Sequence, residues 1–408
     1  MKHTTVFLIL DAGRSDYVDP AMMPFLHSVA QDGLSGSFES PPGYAPKRIL
    51  FSGRYPDTTG DFGAYVYDPE KSPFRWVGDL GPVNRFLRPF STVHPGRGAI
   101  DGITRWKTGT PRADPGWIPP EHLPFFRPVE AFRPDRPVPE AGAGSIFGLC
   151  QEHGRRYHYI GAPLHDGDDA VHDELVRALR TGPEEDLYIA QFDTPEAEGR
   201  RHGPQDETFR KRHLSALDDR IASIHAALVA GSGSWDLFIC GDHGMGTVRE
   251  RVDILGLLKG LPAVPGEDYV AFVNSTLVSL WYLTPRGRDV LEAALPSVPR
   301  SYLLDEADRR RLRIPTDRAW GDRMLAAEAG VLYSPDYFHP REGNLRGMHG
   351  WLDKSEESHG MAVLVSSNGH TSPRDIGRRP LADVFPTLCD LIGVRTPDGQ
   401  EGKSLLEG

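Results

Sequence analysis

Two apolar strands, each running into an acid beside glycine, constrain this chain more than any other feature. Residues 235–240 read Trp-Asp-Leu-Phe-Ile-Cys and lead into Gly241-Asp242-His243-Gly244. Residues 4–10 read Thr-Thr-Val-Phe-Leu-Ile-Leu and lead into Asp11-Ala12-Gly13. Short, continuous apolar runs rich in β-branched residues belong to buried strands. Glycine at a strand end places the neighbouring side chains in the crevice at the carboxyl edge of the sheet, where ligands of open α/β folds bind. Carboxylate oxygens and an imidazole nitrogen suit zinc and its first-row neighbours. Each acid also has a local reading. Asp242 can bond its own backbone in a turn, and Asp11 can cap the segment that follows it. His349, in Arg346-Gly347-Met348-His349-Gly350, is a third Gly-flanked position, readable as a ligand or as a structural imidazole.

Between these points strand and helix patterns alternate. "SIFGLCQEHG" reads as helix and "RRYHYIGAP" as strand; residues 172–181 suit a helix and 186–192 a strand. Leu214, Leu217, Ile221, Ile224 and Leu228 recur at helical spacing and give one buried face. This order predicts an α/β fold with a mostly parallel central sheet and helices on both faces. Residues 1–66, 145–263 and 346–408 form its core. Residues 67–144 form a Pro-rich insertion with many aromatic residues. It is either folded over the site or a proline-stiffened surface loop. Residues 264–345 form a second inserted cap, in which the charges of "DEADRRRLRI" read as a solvated helix face.

A chain of 408 residues can bury a large core and carry such insertions. The net charge of −11 argues against a nucleic-acid polymer as partner, because phosphate backbones are bound by clustered Lys and Arg. A small anion is still accommodated, since a bound metal outweighs global charge locally. Cys150, Cys240 and Cys389 lack metal-like spacing and read as structural thiols of a reducing compartment. No run reaches the length of a membrane span and no leader pattern precedes the first strand, so the expectation is a cytoplasmic protein without membrane contact.

Taken together, the segments "LILDAGRSDYVDPAMMPFL", "LFSGRYPDTTG", "FICGDHGM", "GMHGW" and "LADVFPTLCDLIGV" resemble, in order and spacing, the alkaline phosphatase superfamily in its type I phosphodiesterase/nucleotide pyrophosphatase branch. That resemblance implies a two-metal phosphoryl- or sulfuryl-transfer site. Asp11, Asp242 and His243 would hold one metal. His349 would belong to the other, with an Asp and a His from "FDTPEAEGRRHGP". The implied cation is zinc, with manganese as an alternative. The implied substrate is a small phosphate or sulfate ester, including nucleotide-linked ones.

The chain departs from the family pattern at two places. Arg200 stands where the second site's His is expected. The nearby acid is Asp193, three residues upstream of the family position, or Glu196, which fits the spacing; His202 is the nearest imidazole. Arg200 cannot ligate a metal, but its fork of donors matches phosphate or sulfate oxygens and can replace a metal's charge. In "SPPGYAPKRILFSG" the nucleophile position falls on Gly43 or Ala45, so the family's Thr or Ser is missing. Tyr44 is a nearby hydroxyl, and Lys47 is either an anion-holding residue or surface charge at a helix start. Direct displacement by water or an alcohol survives these losses. The alternative is an inactive relative that binds the same kind of ligand.

Overall fold

The computed structural model describes residues 3–43, 46–81, 94–110, 114–129, 144–162, 164–339, 345–352, 356–369 and 371–407. Its central sheet has seven strands: β1 (His3–Leu10), β2 (Leu34–Glu39), β3 (Tyr157–Ile160), β4 (Leu187–Phe192), β5 (Ser234–Gly241), β6 (Gly360–Ser366) and β7 (Arg374–Pro380). Their order is β7-β2-β6-β5-β1-β4-β3. Strands β3, β4, β1 and β5 pair in parallel, β2 and β7 run the same way, and β6 alone opposes its neighbours. The mostly parallel sheet expected from the sequence is therefore present.

Side-chain alternation explains why β1 reads as an unbroken apolar run. Phe7 and Ile9 enter one core with Phe238, Cys240, Leu187 and Ile189, covered by α2 (Pro46–Ser52), α3 (Ile146–Glu152) and α7 (Val384–Leu391). Val6, Leu8 and Leu10 enter the opposite core with Leu237 and Ile239, covered by α1 (Pro24–Asp32), α4 (Asp168–Arg180) and α6 (Ser215–Gly231). Both faces are dry, so no polar alternation is possible. Leu217, Ile221, Ile224 and Leu228 form the buried face of α6, at the helical spacing that marked it. All three cysteines are buried and unpaired.

Residues 67–144 and 264–345 contribute to a shared third core. Phe74, Val77 and Phe126 from the Pro-rich segment, with Tyr65 just before it, pack with Val270, Phe272, Val278 and Trp281. Tyr67 stacks on Trp281 with centroids 5.1 Å apart. The second insertion builds an antiparallel sheet from Tyr269–Val273, Leu277–Tyr282, Arg323–Ala327 and Ser301–Leu304, in that order. The charged helix Glu306–Arg311 is not wholly solvated. Arg309 is buried, and its guanidinium donates to the carbonyls of Gly321 and Pro315. Among the described residues no helix is long and apolar enough to cross a membrane.

Phe238 lies at the sheet centre, fully buried, with its ring 5.1 Å from that of Phe7 and 6.3 Å from that of Phe38. Phe238→Ala is expected to destabilise the protein by about 3–5 kcal/mol, measured by denaturant unfolding. A loss below about 1 kcal/mol would contradict this packing.

Candidate active site and metal centre

Asp11 and Asp242 meet because β1 and β5 pair in parallel with Leu10 opposite Gly241. The next residue on each strand then emerges at the same carboxyl edge. Glycine is required at this crossing. A Cβ on Gly241 would lie 1.9 Å from the Gly13 carbonyl oxygen, and one on Gly13 would lie 2.7 Å from the Leu10 Cβ. The Ala12 amide donates to Asp242 Oδ1 at 3.2 Å. His243 donates from Nδ1 to the Gly244 carbonyl at 2.8 Å, which turns Nε2 toward the carboxylates. Nε2 lies 3.4 Å from Asp11 Oδ1 and 3.7 Å from Asp242 Oδ1.

Charge balance decides what this cluster accepts. Burial and then the Asp11 charge push the Asp242 carboxyl up to about 7. Burial disfavours a charged His243, yet Asp242 and Asp11 drive its imidazole up to about 10. Two carboxylates and His243 Nε2, which must give up its proton to ligate a metal, converge within 4.8 Å of one another. Such a set is stabilised by a cation at its centre, and its oxygen and nitrogen donors fit zinc or a first-row neighbour.

Asp193 belongs to this side of the site, not to the side of His349. Gln191 donates to Asp193 Oδ1 at 2.6 Å and to Asp11 Oδ2 at 3.4 Å. Burial and then Asp11 raise the Asp193 carboxyl, while Lys47, on the first turn of α2, favours the ionised forms of Asp193 and Asp242. Lys47 thus directs its charge to the acidic cluster. Tyr44 and Ala45 lie outside the described residues.

The second half of the site is built on α5 (Thr194–His202), where Glu196 and Arg200 share one face at i,i+4. Arg200 Nε pairs with Glu196 Oε1. Its Nη2 donates to His349 Nε2 at 3.0 Å and its Nη1 to His339 Nε2 at 3.2 Å. Glu196 Oε1 also lies 3.3 Å from His349 Nε2. Burial opposes ionisation of Glu196, but His349 and Arg200 hold it well below the usual carboxylate range. His349 stacks on His243 with centroids 3.9 Å apart, which joins the two halves. Burial and then the His243 charge keep His349 low.

Two sequence expectations need correction here. Glu196, not Asp193, is the acid beside His349, because Asp193 precedes the first turn of α5 and faces Gln191. His202 does not join His349. Two residues beyond Arg200, it points about 200° around the helix, where it meets Glu198 at 3.3 Å. His339 was not legible at all. It sits in the second insertion, where Asp336 Oδ2 lies 3.2 Å from its Nδ1 and also accepts from Ser275 Oγ at 2.7 Å. Gln191 had a faint signal, as the one polar residue in the buried strand "LYIAQF".

The centre opens on a cleft of about 700 Å³ whose wall includes Ser40, Gly43, Arg249, Arg311, Arg313 and Arg378. A cavity of about 270 Å³ adjoins Arg200, His339 and His349 and is walled by Phe62, Tyr65, Phe272, Trp320 and Phe338. Arginines thus line the cleft together with the acids Glu39 and Glu357. Asp242→Ala and His243→Ala are each expected to lower the affinity of this cluster for zinc tenfold or more. Elemental analysis of dialysed protein measures this, and unchanged content in both variants would remove the centre.

The family profile "type I phosphodiesterase / nucleotide pyrophosphatase" matches residues 5–351. No curated protein matches the sequence. Among solved structures, human ectonucleotide pyrophosphatase/phosphodiesterase 5 superposes with a TM-score of 0.68 at 14% identity, covering 98% of this chain and 97% of its own. The murine protein, as an inactive variant in complex with AMP, superposes with a TM-score of 0.67 at 13% identity, covering 98% of each chain. Without that substitution it gives 0.66 at 13% identity, covering 98% and 97%. At such identities the structural likeness is one of fold, and the profile carries the assignment: this chain belongs to the type I phosphodiesterase/nucleotide pyrophosphatase family.

Proposed function

We propose that the protein is a metal-dependent hydrolase or transferase acting on a nucleotide-linked phosphodiester or pyrophosphate, with Arg200 replacing the charge of a second metal. The observation that carries this reading is Arg200 itself, wedged between Glu196 and His349 where the family would hold that ion. Asp11, Asp242 and His243 would hold the remaining cation. When bound, it supplies Lewis acidity beside the transferring phosphorus.

The chain's own residues account for the rest. Arg200 spends one N–H of Nη1 on His339 and one of Nη2 on His349, which leaves each nitrogen a further N–H for phosphate oxygens. Held on three sides, the guanidinium needs no reorganisation when charge develops on those oxygens. Asp336 fixes His339, and His339 fixes Arg200, so the cap contributes to its orientation. Lys47 adds positive charge on the opposite side. The aromatic cavity beside Arg200 suits a planar ring attached to the phosphate, and a murine relative of the same fold was solved with AMP.

The attacking group is water or an acceptor hydroxyl. Ser40 Oγ donates to the Pro41 carbonyl at 3.3 Å and Ser52 Oγ to the Arg48 carbonyl at 2.7 Å, so neither is poised for attack. A cytoplasmic location is part of the same reading, supported by three buried thiols with no disulfide.

The test is turnover of an aryl phosphodiester, a dinucleotide pyrophosphate, an aryl phosphate and an aryl sulfate, with zinc or manganese and after chelation. We expect the diester or pyrophosphate to be cleaved, chelation to abolish turnover, and Arg200→Ala to lower kcat by about 10²–10³-fold. Turnover that survives chelation would sink the proposal. AMP binding with no turnover of any substrate, even with acceptor alcohols, would leave a non-catalytic binding protein. A further expectation is that Arg200→His gains one zinc per chain over the unaltered protein, read by elemental analysis.

A further inference from the structure

Helix α5 carries a second i,i+4 pair on its other side. Glu198 and His202 repeat the spacing of Glu196 and Arg200 two residues later, about 200° around the axis and away from the reaction centre. A third donor comes from the π-helical turn Phe209–Leu214, which precedes α6 and carries His213. Such turns interrupt α-helices and are frequent where a side chain must be re-aimed for function.

These three side chains converge on one point. His202 Nε2 lies 3.3 Å and His213 Nε2 3.8 Å from the same atom, Glu198 Oε2. All three donor atoms lie within 4.8 Å of one another. Glu198 Oε2 is buried and has no hydrogen-bond partner, although two imidazoles face it. The other oxygen, Oε1, meets Arg201 Nη1 at 3.5 Å. The imidazoles lie 5.6 Å apart between centroids and tilt by 31°, and Phe209 backs the ring of His213.

The spacing, 3.3 Å for one pair and 3.8 Å for another, is close to that of a coordination polyhedron. Zinc bonds of roughly 2.0–2.2 Å at tetrahedral angles separate neighbouring donors by about 3.3–3.6 Å. Two imidazole nitrogens and one carboxylate oxygen are a common zinc donor set, with water filling the fourth position. The side chains are 20%, 31% and 24% exposed for Glu198, His202 and His213, which leaves a route for a cation and that water.

We propose that Glu198, His202 and His213 form a second zinc site, distinct from the Asp11–Asp242–His243 centre. It ties α5 to the segment leading into α6. The pin holds the helix whose other face presents Glu196 and Arg200 to the reaction centre. The inference does not depend on which reaction that centre performs.

The experiment uses the full chain, stripped with chelator and supplied with zinc alone. Zinc per chain is counted by elemental analysis, and affinity is measured by competition with a zinc-responsive dye. His202→Gln and His213→Gln are each expected to weaken one ion by about a hundredfold and leave the other in place. His243→Gln is expected to keep the Glu198–His202–His213 ion and still to melt at a higher temperature when zinc is added. If His202→Gln fails to fold, Glu198→Gln tests the same site with its shape retained. Equal zinc number and affinity in the unaltered protein, His213→Gln and Glu198→Gln would overturn the proposal, as would His243→Gln binding no zinc. Loss confined to His243→Gln would remove this site while leaving the reaction centre. Loss confined to His213→Gln would keep this site and remove the other.

Discussion

The parallel pairing of β1 with β5, in the register that sets Leu10 against Gly241, is the constraint on which the rest of the site depends. It places two acids side by side at the carboxyl edge of a sheet buried on both faces. Neither acid can retreat, because the strands are locked by apolar packing above and below. The glycines at the crossing let the two backbones come closer than any side chain would allow. The fold thus builds a concentrated negative pocket whose electrostatic cost falls when a cation enters it.

Arg200 changes the other half of the site. A metal ligand would make the second positive charge depend on ion supply and on pH. A guanidinium is permanent, and Glu196, His339 and His349 hold it on three sides. Arg200 sits across the stacked pair of His243 and His349 from the acidic cluster, so a fixed cation faces a cation-accepting cluster across the site. The cap takes part, because His339 and Asp336 come from the second insertion. Residues of this segment therefore brace the charge at the centre.

Much of the fold is legible in the sequence. The strands ending at Asp11 and Asp242 showed themselves by unbroken apolar runs, because both faces of the sheet are dry. The face of α6 showed itself by its spacing. Arg200 was legible as an anomaly against a family pattern, and it lies between Glu196 and His349. Other parts were hidden. The aromatic residues around Tyr65, Phe74 and Phe126 belong to a core shared with a segment some two hundred residues away, and no local pattern encodes a partner so distant. His339 has no neighbouring motif. His202 and Asp193 lay near the right position in sequence, but helix phase sent the first outward and the turn before α5 sent the second toward Asp11.

What the sequence determined by itself was the type and order of the elements and the chemistry at two strand ends, because both are written in local periodicity and in glycine placement. Only the tertiary structure decided which acid meets His349, what anchors Arg200 and where His202 points. Those outcomes depend on helix phase and on contacts between distant segments. Spacing gives the relative phase of residues within a helix, but neither where the helix begins nor which distant segment its faces meet.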